Sequence, residues 1–403
     1  MSGSTFLAYQ PLKPRIPFWR TRKGAGTIAI IFAIIVVAAV VGGVVPTKGT
    51  KPNNFQVVND SNSTSGPQGI ANNTQLPLPP IATNNTGAGA NSTSASNPDP
   101  GVPVATNLVD PGVAAVTWQN DGLHIRVYFQ KDDGGVYEGA WDQGNGWSSS
   151  NTKLVQAKSG TPLAAITFDP TQIRVYYIDE SNVLQEYVYN NGWSKGSTLP
   201  SPNISPTTSL SAVTWGPSSS EQVRVYYQKQ DNTVQEVVYS SGWSLGNSFG
   251  DQANPGTGLG AILATDINNT PSLRVYWQAK DLTLNEYNWS GSWSNRNLNW
   301  SPAPSSGIAA ASWTDSSGNP FVRVYYENSA GTIEEVGYNS PSGWVVGPGA
   351  PTSTVVGSQT PISAIVWVNG GDIEIRVYVQ NNSSDTHTEF AYSGSWTSSN
   401  LGF

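Results

Sequence analysis

From about residue 107 onward, short runs alternate apolar and polar positions with the two-residue period of a strand. No helical pattern of useful length follows residue 45. The clearest run occurs six times: Ile125-Arg126-Val127-Tyr128, Ile173-Arg174-Val175-Tyr176, Val223-Arg224-Val225-Tyr226, Leu273-Arg274-Val275-Tyr276, Val322-Arg323-Val324-Tyr325 and Ile375-Arg376-Val377-Tyr378. Successive arginines are 48, 50, 50, 49 and 53 residues apart. Before each lies a small apolar strand, such as Ala114-Ala115-Val116-Thr117-Trp118 or Ala309-Ala310-Ala311-Ser312-Trp313. After each comes a turn, as at Asp179-Glu180-Ser181-Asn182, then a glutamate-bearing strand, then Gly or Ser leading into a tryptophan. Six repeats of four short strands predict an all-β fold, a six-bladed β-propeller over 107–403. A β-sandwich or linear solenoid is the weaker alternative, because closure of a ring explains why the repeats stop at six.

Ahead of the repeats the pattern changes twice. Residues 24–47 carry no charge, and Ile28–Val41 is continuously apolar. At 1.5 Å per residue, about 20 such residues span a bilayer. Residues 1–23 hold Lys13, Arg15, Arg20, Arg22 and Lys23 and no acid. The positive-inside rule therefore predicts a cytoplasmic tail at 1–23, a transmembrane signal anchor at 24–47, and repeats outside the cell or in the lumen: a single-pass type II membrane protein. Residues 48–106 are rich in Asn, Ser, Thr, Gly, Ala and Pro, and read as a flexible stalk. Glycosylation sequons begin there at Asn59, Asn62, Asn72, Asn84 and Asn91, and in the repeats at Asn203, Asn268, Asn288, Asn299, Asn381 and Asn382.

Composition narrows the chemistry. There is no cysteine, and the two histidines, His124 and His387, lie in different repeats, so neither a metal nor another cofactor is expected. The repeat region holds 13 basic against 25 acidic residues, a poor surface for nucleic acid. Fifteen tryptophans and 17 tyrosines are an unusual load of aromatic surface. Of the seven arginines beyond the tail, six occupy the repeated slot, and Arg296 is the exception.

Twelve residues after the arginine stands Glu138, Glu186, Glu236, Glu286 or Glu335; in the sixth repeat the spacing is thirteen, giving Glu389. Three residues further comes Trp141, Tyr189, Tyr239, Trp289, Tyr338 or Tyr392, and then Trp147, Trp193, Trp243, Trp293, Trp344 or Trp396. The spacing of three puts the aromatic on the face opposite its own glutamate, toward the neighbouring blade. The arginine alternates against Ile/Val and Tyr, and so leaves the core-packing face. On that reading, replacing all six arginines spares the fold. A fork of N–H donors beside a carboxylate and an aromatic wall suits a monosaccharide, with hydroxyls on one side and an apolar C–H face on the other. The alternative is a structural or protein-binding propeller without sugar specificity, its tryptophans and ion pairs serving to lock blades together. A glycosidase would need paired carboxylates, and each repeat offers one beside an arginine expected to keep it ionised. No enzyme activity is expected.

The Ala-Ala-x-x-Trp strand, the Arg-Val-Tyr strand, the glutamate strand and the Gly-Trp, repeated through 107–403, resemble the fungal fucose-specific lectins. That resemblance implies a six-bladed propeller binding L-fucose between blades without metal, with fucosylated glycans or glycoproteins as partners. A second copy of the chain is a further candidate partner. Carried over, it implies pockets of Arg126 and Glu138 with Tyr189 and Trp193; Arg174 and Glu186 with Tyr239 and Trp243; Arg224 and Glu236 with Trp289 and Trp293; Arg274 and Glu286 with Tyr338 and Trp344; Arg323 and Glu335 with Tyr392 and Trp396; and Arg376 and Glu389 with Trp141 and Trp147. The anchor and stalk lie outside the resemblance.

Overall fold

The computed structural model describes residues 112–403 except 170–171, 217–219, 266–270, 341, 348–358 and 381–385. The tail, apolar run and stalk read at 1–23, 24–47 and 48–106 therefore lie outside the described residues. Among those described, no helix is long and apolar enough to cross a membrane. Six antiparallel sheets follow one another along the chain, at 113–149, 164–198, 210–249, 259–297, 308–346 and 362–400; we number them blades 1 to 6. Each is a meander of four strands, here a to d. In blade 3 these are Leu210–Trp215, Gln222–Gln228, Val234–Tyr239 and Trp243–Phe249. Blade 1 adds a two-residue strand, Val155–Gln156, against its strand c.

The a strands line the centre, around a narrow channel of about 90 Å³. Small residues are required because these strands crowd together. A Cβ on Gly258 would overlap the backbone of Gly307 and Ile308, at the start of the next a strand. Hydroxyls stitch the ring. Ala261 N–H donates to Ser211 Oγ at 2.8 Å, and Ala115 N–H donates to Ser363 Oγ at 2.9 Å, joining blades 1 and 6.

The hydrophobic core is divided among the six clefts. One cluster joins Tyr176 and Ile178 of blade 2 to Val223, Val225 and Tyr227 of blade 3, and similar clusters fill the other clefts. Ile125 and Val127 pack against Ile365 and Tyr378, so the cleft between blades 6 and 1 is filled like the rest. Phe403 adds to this closure, stacking on Phe129 at 5.1 Å and lying 5.6 Å from Trp147.

A buried glutamine at the end of strand b ties each of several blades to the next. Gln278 donates from Nε2 to the carbonyls of Leu282, Pro302 and Ala303, and its Oε1 accepts from Ser305 N–H at 3.0 Å. Gln228 does the equivalent toward Asn254 and Gly256.

Candidate functional site

Register explains the site. In blade 3, Arg224 lies opposite Val238, and Tyr226 lies opposite Glu236. Residues opposite each other share a face, as do residues two apart on one strand. Arginine, tyrosine and glutamate therefore all project into the same cleft. This corrects the expectation that the arginine alternates against the tyrosine. The tyrosine is fully buried beneath the arginine, and its hydroxyl donates to the glutamate: Tyr128 to Glu138 at 3.0 Å, Tyr176 to Glu186 at 3.3 Å, Tyr226 to Glu236 at 3.1 Å, Tyr276 to Glu286 at 2.9 Å and Tyr378 to Glu389 at 2.8 Å.

Five arginines reach the glutamate named for them. Arg174 Nη1 is 3.0 Å from Glu186 and Arg274 Nη1 is 3.3 Å from Glu286. Arg224 and Arg323 approach Glu236 and Glu335 through Nε at 3.5 and 3.2 Å, and Arg126 approaches Glu138 at 4.0 Å. The sixth pair differs: Arg376 is held by Glu374 at 3.2 Å, while Glu389 accepts from Tyr378. In pocket 1 Arg126 takes a second acceptor, Asp142, at 3.0 Å. Asp142 is shared with His124, which stacks on Trp118 at 5.2 Å. Burial pulls the His124 imidazole down, yet its bonds to Asp142 and Asp121 leave it raised overall.

The aromatic wall comes from the following blade. The strand c aromatic and the strand d tryptophan are direct cross-strand partners: Trp141 with Trp147, Tyr189 with Trp193, Tyr239 with Trp243, Trp289 with Trp293, Tyr338 with Trp344 and Tyr392 with Trp396. The tryptophan meets the preceding blade's buried tyrosine edge-on. Trp193 lies 5.8 Å from Tyr128, Trp243 5.9 Å from Tyr176, Trp344 5.9 Å from Tyr276, Trp396 6.0 Å from Tyr325 and Trp147 6.2 Å from Tyr378. Pocket 3 is a cavity of about 330 Å³ whose lining includes Trp215, Arg224, Glu236, Trp289 and Trp293. Pocket 5, about 120 Å³, is lined by Trp313, Arg323, Glu335, Ile373, Ile375 and Tyr392.

Two contributors escaped the sequence reading. The strand a tryptophan, given there only as the end of a small apolar strand, is a cation–π platform: the guanidinium carbons of Arg224 and Arg323 lie 4.8 and 5.0 Å from the Trp215 and Trp313 rings. The glycine of Trp193-Ser194-Lys195-Gly196 and Trp243-Ser244-Leu245-Gly246 lets strand d approach the glutamate; a Cβ there would strike Glu186 or Glu236. The next backbone N–H then donates to the carboxylate, from Ser197 and from Asn247, each at 3.1 Å. The repeated Trp-Ser-x-Gly spacing was the available signal.

The arginine does not keep every glutamate low. Burial raises the carboxyls of Glu138, Glu335 and Glu389 above the ordinary 4.5, against the opposing pull of tyrosine hydrogen bonds and arginine charge. A raised acid favours the folded state fully below its ordinary value, and that contribution is lost as pH rises through the folded value. Acceptance of ligand hydroxyls runs the other way, because it needs the ionised form. Pockets 1, 5 and 6 are thus expected to lose their acceptor above pH 4.5 on acidification. Affinity there should fall about tenfold for each pH unit below the raised value. Calorimetry across pH checks this; affinity that stays constant down to 4.5 contradicts it.

Six blades with an Arg–Glu–Tyr cluster and a neighbouring aromatic wall define a multi-site, repeat-built propeller. The chain belongs to the fungal fucose-specific lectin family, whose family model matches residues 108–402. It is 42% identical over 94 residues to the fucose-specific lectin of Aspergillus oryzae, a match covering 22% of this chain and 29% of that one. Against the fucose-specific lectin of Aleuria aurantia it is 34% identical over 116 residues, covering 27% and 37%. The curated matches thus span about a third of those relatives' length. The crystal structure of the Aleuria aurantia lectin, described as a six-bladed β-propeller with a novel fucose recognition mode, superposes with a TM-score of 0.62. It shares 30% identity and covers 72% of this chain and 94% of that one. A variant of the same lectin, in complex with alpha-methyl-L-fucoside, matches equally well.

Proposed function

We propose that this protein is a lectin that binds L-fucose in the clefts between its blades, without metal and without catalysing a reaction. The observation that carries the reading is pocket 3, where Arg224, Glu236 and three indoles line one cavity. The guanidinium and carboxylate supply donors and acceptors for hydroxyls, and Trp289, 36% exposed, offers a ring face to apolar C–H groups. Family membership and the fucoside complex of the Aleuria aurantia lectin support fucose as the sugar. In each pocket the repeated glutamate is tied to an arginine or tyrosine, and the second carboxylates of pockets 1, 2 and 6, Asp142, Glu221 and Glu374, are themselves held by that pocket's arginine, which suits binding better than hydrolysis. Fucosylated glycans or glycoproteins are the partners this reading implies. Titration of the full-length chain with alpha-methyl-L-fucoside in the presence of a chelator tests it.

The sequence further supports a signal anchor at 24–47, with the propeller carried outside the cytoplasm on the stalk at 48–106. In a microsome protection assay the propeller should be shielded from protease and glycosylated. Digestion of an unglycosylated propeller contradicts that orientation.

A further inference from the structure

The six guanidinium groups adopt two poses. In pockets 1, 3 and 6, Nη1 donates to two carbonyls of its own blade: Ile125 and Trp141, Val223 and Tyr239, Ile375 and Tyr392. In pocket 5 it donates to the Val322 carbonyl and to Asn339 Oδ1. In all four the head lies back on its own blade, 4.7 to 5.0 Å from the ring of Trp118, Trp215, Trp313 or Trp367. Among the described residues, Arg174 and Arg274 make no such carbonyl contact. Their Nη1 atoms turn to Glu186 and Glu286, and their buried Nε atoms have no acceptor. Each head also reaches the following blade. Arg174 Nη2 stands 3.5 Å from Glu221 of blade 3, and Arg274 lies 4.9 Å from the ring of Tyr338 in blade 5.

One sequence position separates the two groups. It lies on strand a, two residues beyond the arginine's cross-strand partner: Val116, Ile166, Val213, Ile262, Ala311 and Ile365 are those partners. The position holds Trp118, Trp215, Trp313 and Trp367 where the arginine lies back, and Phe168 and Ala264 where it crosses. An indole is the strongest aromatic platform for a guanidinium, phenyl is weaker, and alanine offers none. Arg174 still lies over Phe168, 5.2 Å from its ring, whereas Arg274 meets alanine there; with the hold weakened or missing, the head finds partners across the cleft. It then occupies the side of the pocket a ligand needs: in pocket 4 it covers Tyr338, the very ring that would face a sugar.

We infer that the strand a tryptophan sets the arginine's pose, leaving pockets 1, 3, 5 and 6 open while pockets 2 and 4 are bridged shut by their own arginines. This rests on the fucose reading of the pockets. The cavities at pockets 3 and 5 both fall in the open group. Glu221 acts as the latch of pocket 2. The corresponding residues, three before the arginine, are Leu123, Thr171, Pro271, Pro320 and Ile373 in the other blades, none of them charged.

The test is a crystal of the protein soaked with alpha-methyl-L-fucoside to saturation. Fucoside density is expected in pockets 1, 3, 5 and 6 and absent from pockets 2 and 4. Density in pocket 2 or 4 overturns the inference while leaving the lectin reading intact. Six empty pockets remove the lectin reading and the inference with it. In a second soak, Glu221→Gln should fill pocket 2, raising the count from four to five. A pocket 2 that stays empty in that variant overturns the role given to Glu221.

Discussion

A chain carrying Arg224→Met together with Glu236→Gln is expected to fold, to lose fucoside binding at pocket 3, and to keep it at the other open pockets. Both charges leave together, so no lone carboxylate remains in the cleft. The pocket forfeits hydrogen bonds to two charged groups, worth about 1.5–3 kcal/mol each. At 1.4 kcal/mol per tenfold, affinity there should fall at least about 100-fold. The matching changes in pockets 1, 5 and 6 should abolish binding. The single change Arg224→Ala is a different experiment. It takes the cation from beside Glu236, whose side chain is 4% exposed and keeps only the neutral donors Tyr226 and Asn247, and breaking such a buried pair costs about 3–5 kcal/mol of stability. Replacing all six arginines is therefore expected to cost the fold, against the reading that these side chains lie clear of the core. Against a total stability of about 5–15 kcal/mol, losing several such buried pairs at once is expected to unfold the domain. Calorimetric stoichiometry and thermal unfolding of the double and single variants separate the two effects. Equal stability in both, or unchanged binding in the double variant, contradicts this account.

The largest expected loss of stability without contact with a pocket is at Gln278. Its side chain is fully buried, donates to three carbonyls and accepts from Ser305 N–H and from Asn254 Nδ2. Gln278→Ala leaves these groups without that partner, at about 1–3 kcal/mol for each one stranded in the interior. A total near 3 kcal/mol would lower the melting temperature by roughly 6–12 °C, taking about 2–4 °C per kcal/mol for a domain of this order of size. Fucoside stoichiometry should not change. A melting temperature within about 1 °C of the unaltered chain contradicts the role of the glutamine as the tie between blades.

What sequence revealed here, and what it hid, follow from one distinction. Strand period and repeat spacing are local, so the six blades, the Arg–Glu pairing and the cross-blade aromatics were all legible. Register is not local. Only pairing puts Tyr226 opposite Glu236, and only pairing puts Trp215 two residues beyond the arginine's partner. Two residues after the arginine on the same strand, the tyrosine shares the arginine's face rather than alternating against it. Glu374 escaped attention because the other repeats hold His124, Gln172, Gln222, Ser272 and Phe321 there, so it is not part of the repeat pattern. It nevertheless takes the arginine that the spacing had assigned to Glu389. Gly196 and Gly246 carry no side chain to read, and their importance lies in the strand approach they permit.

Similar pockets on one ring matter because linked sites gain avidity, roughly 10²–10⁴ over a single site when the geometry allows simultaneous engagement. The most direct test of the central claim is therefore calorimetric titration of the full-length chain with alpha-methyl-L-fucoside in chelator. The account predicts metal-independent binding of four fucosides per chain. A single fucoside per chain, or no binding until a metal is restored, would contradict it.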